Sequence, residues 1–157
     1  MAALLRKLTI GLSALAYIVS LFLPFATDHE FGWFPGFAAF FAAFAFWTNT
    51  AAPGLFFVVW LANPVYWVGI YLLDYERPIF AAFAGVLSLS LAMLDIARMA
   101  VLCANHPAYW VWLGSFAAFA FGSFLCVAIE FFNRSTNVSD QRLGLAINPI
   151  TDDRIQQ

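Results

Sequence analysis

Asp95 and Arg98 are the only ionisable pair inside a long apolar stretch of the sequence. Three residues apart, they stand about one helical turn from each other, so their side chains can meet. An isolated charge in a lipid interior costs roughly 2.5 to 3.5 kcal/mol on the insertion scale, and pairing lowers that cost. Such a pair can pin helix packing, grip a partner or polar headgroup, or take part in a proton relay. A relay needs further acids or bases along its path. The two preceding apolar stretches offer none except tyrosine, and Glu130 falls at the opposite end of the following one. Asp95 and Arg98 are therefore read as an intramembrane ion pair in helix packing.

Other reactive types are too scattered to form a centre. His29, His106, Asp28, Glu30 and Cys103 are metal-capable but belong to two loops without dense ligand spacing, so no metal site is expected. No histidine lies in a spanning stretch, which argues against a histidine-held haem or pigment. Cys103 and Cys126 are expected at opposite membrane faces and make no C-x-x-C pair. There is no H-E-x-x-H and no glycine-rich loop before a lysine. No catalytic or cofactor-binding residue is assigned, and the chain is not expected to be an enzyme.

Trp60-Leu61-Ala62-Asn63-Pro64-Val65-Tyr66-Trp67 lies in the middle of an apolar run. Pro64 removes the backbone donor that would bond the carbonyl of Trp60, so a helix through it must kink or open. Asn63 stands where it can cap the broken backbone or point at a ligand. Trp60, Asn63, Pro64 and Trp67 thus mark either a packing joint or a notch for an apolar ligand. Further on, Gly114, Ala118, Gly122 and Cys126 form a row of small residues at four-residue spacing, of the kind that lets helices approach closely. Ala84, Ser88 and Ala92 make a similar row. The two rows are expected to pack the third helix on the fourth, with oligomerisation as the alternative.

The elements that carry these residues follow from composition and charge. With 157 residues, 64% apolar, 19% aromatic and only 10% charged, the chain lies outside the soluble globular range and reads as an all-α, multi-pass integral membrane protein. A net charge of -2 without a basic cluster argues against a nucleic-acid partner. Four spans are expected at about 8–27, 53–73, 78–103 and 109–132, giving a transmembrane domain over 1–132 and a cytoplasmic polar tail over 133–157.

The number of crossings rests on the basic residues. With one span between Phe31 and Leu73, Arg6, Lys7, Arg77, Arg134, Arg142 and Arg154 share one face, opposite Asp28 and Glu30. Both termini are then cytoplasmic. The remaining stretch, about 34–47, places Phe37, Phe40, Phe41, Phe44 and Trp47 at three- and four-residue steps. It is too short to cross and is expected to be a re-entrant or interfacial helix.

The Trp60 to Pro64 box, the charged turn with Arg77, and Tyr109-Trp110-Val111-Trp112-Leu113-Gly114-Ser115 together resemble a group of small uncharacterised bacterial inner-membrane proteins. The resemblance covers roughly 8–132 and implies four helices in a bacterial cytoplasmic membrane, with no activity attached. On function, the first expectation is a non-catalytic accessory subunit that docks onto a larger membrane protein complex through aromatic helix faces. The alternative is a binder of lipid, quinone or carotenoid at the Asn63-Pro64 break, and the third reading is a small transporter or channel.

Overall fold

A computed structural model describes the backbone of residues 2–28, 32–38, 58–94 and 107–147, and their side chains except at 25–28, 32–34 and 137–147. Among the described residues the fold is helical apart from one short antiparallel ladder. Its elements are α1 (Ala2–Phe22), β1 (Pro24–Asp28), β2 (Gly32–Pro35), α2 (Ala62–Asp74), α3 (Pro78–Met93) and α4 (Pro107–Ile147). A helical turn at 58–60 precedes α2.

The first helix begins and ends earlier than the expected 8–27. Pro24 pushes the residue before it out of the helical region, so α1 stops at Phe22 and the chain continues extended. β1 pairs with β2 in the register Ala26↔Phe34, Thr27↔Trp33 and Asp28↔Gly32, with an irregularity between Pro24 and Ala26. Pro24 and Pro35 face each other at the ladder's end, where a missing donor interrupts nothing. The Gly36 amide then donates to the Leu23 carbonyl at 3.0 Å. Gly36 lies so close under the Ser20 carbonyl that no Cβ would fit.

Of the interfacial helix expected over 34–47, the described residues are 34–38: Phe34 and Pro35 are strand instead, 36–38 are helical, and Phe37 is exposed. Phe40, Phe41, Phe44 and Trp47 lie outside the described residues, as do Asp95, Arg98, Cys103 and both histidines.

α2 and α3 are joined by a Schellman turn. The amide of Glu76 donates to Leu73 O at 3.2 Å and that of Arg77 to Leu72 O at 2.9 Å, with Glu76 at φ 59° in the left-handed region. Pro78 opens α3 in the first turn, where its missing N–H costs little. α4 runs for 41 residues to Ile147, past the expected end near Phe132. Apolar periodicity ends near Phe132, whereas the helical backbone continues. Between Pro107 and Ile147 the chain contains no further proline to interrupt the helix.

The helices pack in the order α1, α4, α3, α2, each closest to the next, with α1 and α2 meeting more sparsely. Tyr66, Leu73, Phe116 and Phe119 are fully buried at the centre. Close approach comes from small residues: a Cβ on Gly85 would lie 2.9 Å from Ala120 Cα, and one on Gly69 would strike the Phe119 ring.

The side-chain distribution is inverted relative to a water-soluble bundle. α1 buries Thr9, Ser13, Tyr17 and Ser20 and turns Leu4, Leu8, Leu12, Leu15 and Ile18 outward, Leu12 at 63% exposure. The hydroxyls of Ser13, Ser20, Ser88 and Ser115 each donate to the carbonyl three residues back, so they enter the interior with their polarity already met. α1 and residues 107–136 of α4 are long and apolar enough to cross a membrane, whereas 58–74 and 78–93 are shorter apolar helices.

Candidate functional site

The break at Pro64 is built around Asn63. The helical turn at 58–60 is interrupted at Leu61 and restarts at Ala62, which places Pro64 in the first turn of α2 instead of in a helix interior. The amide of Val65 makes the first bond of the new helix, to Leu61 O at 3.2 Å. The Trp60 carbonyl, which Pro64 cannot serve, receives the Asn63 side-chain amide at 3.0 Å.

The other end of that side chain collects two donors. Tyr17 Oη from α1 and Trp112 Nε1 from α4 both donate to Asn63 Oδ1 at 2.9 Å. An indole N–H can only donate, which fixes the oxygen toward Trp112 and leaves the NH2 group for Trp60. Three elements are thereby held to one residue that is 5% exposed. Tyr17 stacks on Tyr66 with ring centroids at 5.3 Å, and Trp67 meets Tyr17 edge-on at 5.3 Å. Phe116 closes on Tyr66 at 5.0 Å, and Trp112 on Phe116 at 4.7 Å.

Pro64 itself points the other way and is exposed. It lines an open groove of about 790 Å³ between α2 and α3, with Leu61 and Val68 from α2 and Phe83, Leu87 and Ser90 from α3. The break therefore has a polar inner side, occupied by Tyr17 and Trp112, and an apolar outer side. Apolar matter fits the groove, and its lining offers hardly any group to orient a polar solute.

At the far end of the bundle Arg6 pairs with Glu76 at 2.8 Å, and Glu130 with Arg134 at 3.9 Å one turn along α4. Among the described residues no three or more His, Cys, Asp or Glu come together as metal ligands would.

No family model, curated protein or solved structure matches the chain.

Of the residues singled out by sequence, Trp60 and Asn63 are joined by a hydrogen bond on the inner side of the break, Trp67 meets the Tyr17 and Tyr66 rings edge-on while remaining 42% exposed, and Pro64 is on the outer side. The small-residue row divides. Gly122 lies against Thr9 of α1 and Cys126 is buried nearby, whereas Gly114 has nothing within 4 Å and Ala118 is exposed. The expected packing of this row on α3 is thus corrected: α3 meets α4 through Gly85 and Ala120, and the buried end of the row meets α1. Residues spaced by four advance around the helix by about 40° per step, so a row of four cannot keep one face. Ala92 and Ser88 of the row on α3 are buried.

The sequence does not single out Tyr17 or Trp112 as partners of Asn63. A signal was present in α1, where Thr9, Ser13, Tyr17 and Ser20 fall on one face of an otherwise leucine-rich helix.

Proposed function

We propose that this chain is a multi-pass protein of a bacterial cytoplasmic membrane that acts without catalysis, as an accessory subunit docking onto a larger membrane protein complex through its outward apolar faces. The observation that carries the reading is the inverted distribution of side chains. Interior polar groups such as Asn63, Ser13, Ser20, Ser88 and Ser115 are engaged in bonds within the bundle, while many Leu, Phe and Ile side chains face outward. In water this arrangement exposes apolar surface far beyond what a soluble monomer carries. In a bilayer, small and polar residues belong at helix contacts and apolar ones outside.

Four spans with both termini cytoplasmic are part of the proposal. The Arg6–Glu76 pair supports it by joining the start of α1 to the α2–α3 turn, and Gly122 against Thr9 supports α4 running antiparallel to α1. Gly36 bonds back to Leu23 at the end of α1 opposite Arg6, and Tyr17 meets Asn63 near that same end.

Extraction in mild detergent with mass analysis tests the function. Co-purifying subunits are expected, and recovery as a clean monomer without them overturns the accessory reading. A second reading, binding of an apolar ligand such as lipid, quinone or carotenoid, is favoured by the groove beside Pro64. The same preparation would then carry a stoichiometric ligand. The transporter reading gains no support, because Tyr66, Phe116 and Phe119 fill the centre.

A further inference from the structure

We propose that the α2/α3 groove holds an acyl chain of an anionic phospholipid from the cytoplasmic leaflet, with its headgroup at Arg77. This deepens the second reading and rests on the membrane placement above. The first observation is level. Arg77 is the residue before α3, and the groove begins at Phe83 and ends at Ser90 on the same helix. At 1.5 Å per residue these lie about 9 Å and about 20 Å above Arg77. A headgroup layer of roughly 5 to 8 Å followed by a leaflet of roughly 15 Å of hydrocarbon fills that distance. The groove then sits in the acyl layer of the leaflet whose headgroups meet Arg77.

Tyr71 and Tyr75 mark the same boundary. They are exposed, one turn apart at the end of α2, with rings 4.4 Å apart, as in an aromatic belt.

The second observation is charge. Among the residues whose side chains are described, Arg6, Lys7, Arg77 and Arg134 stand at this end against Asp74, Glu76 and Glu130, four cations against three carboxylates. Glu76 is taken by Arg6 at 2.8 Å, and no described residue forms an ion pair with the exposed Arg77. A cation at headgroup level, below a groove lined by Val68, Phe83 and Leu87, fits a lipid that is anionic at one end and aliphatic at the other.

The full chain is reconstituted into phosphatidylcholine vesicles containing trace spin-labelled phosphatidylglycerol or spin-labelled phosphatidylcholine, and the immobilised fraction of each label is read. The native protein is expected to hold phosphatidylglycerol in preference, and Arg77→Gln to lower that preference about fivefold. Val68→Trp, at a lipid-facing position inside the groove, is expected to reduce immobilisation of both labels. Equal immobilisation of the two labels by the native protein, or a preference untouched by Arg77→Gln, overturns the proposal while the membrane placement stands. Immobilisation unaffected by Val68→Trp overturns the groove as the acyl site. Failure to enter vesicles at all overturns the placement and this inference together.

Discussion

The Asn63 side-chain amide donates to the Trp60 carbonyl at 3.0 Å, and that carbonyl is the acceptor which Pro64, four residues on, has no hydrogen to serve. The residue that precedes the proline thus repairs the ladder that the proline opens. The same side chain takes Tyr17 from α1 and Trp112 from α4, so the repair and the docking of three helices are one structure.

Replacing Asn63 by Leu removes three bonds. Hydrogen bonds between membrane helices average about 0.6 kcal/mol, so a loss of about 2 kcal/mol is expected, with Tyr17→Phe costing about a third of it. Unfolding in mixed detergent micelles reads both. Pro64→Ala restores a backbone donor for Trp60, so Asn63→Ala should cost about 1 kcal/mol less in that background. Additive losses would show that Trp60 O does not couple the two residues.

Gly122 and Gly114 stand two turns apart on α4 and should respond in opposite directions. Gly122→Ala drives a methyl group into Thr9 and is expected to cost about 1 to 3 kcal/mol, partly recovered by Thr9→Ala. Gly114 meets nothing within 4 Å, and Gly114→Ala should stabilise the helix by about 0.5 to 1 kcal/mol. Thermal stability in detergent separates the two, and equal responses would contradict the placement of α4 against α1.

Glu76 occupies a left-handed position that glycine takes without strain, and it also carries the ion pair to Arg6. In an Arg6→Ala background, Glu76→Gly should raise stability by about 1 kcal/mol, because only the strain is relieved. In the native background the gain should shrink by the worth of a largely exposed pair, under about 1 kcal/mol. Identical gains in both backgrounds would mean that the pair contributes nothing.

Cysteines introduced at Lys7 and Arg77, in a chain carrying Cys103→Ser and Cys126→Ser, should label with a membrane-impermeant maleimide from the same side, and one at Pro107 from the other. Labelling of Arg77 and Pro107 from one side would defeat the four-span arrangement.

The sequence by itself determined the apolar character of the chain, the end of α2 near Leu73, the starts of α3 and α4, and the break at Pro64. Each of these depends on local chemistry: a run of apolar residues, a charged turn before Pro78, a proline without its hydrogen. It also marked Asn63 as the residue beside the break.

Tertiary structure decided which of two uses Asn63 serves, because Tyr17 and Trp112 lie 46 and 49 residues away and nothing local brings them together. It likewise decided the hairpin after α1, since β1 and β2 pair residues such as Ala26 and Phe34 that no local periodicity links. The small-residue row was visible as a spacing, but which end is covered depends on how α1 crosses α4, and a one-dimensional pattern holds no record of that angle.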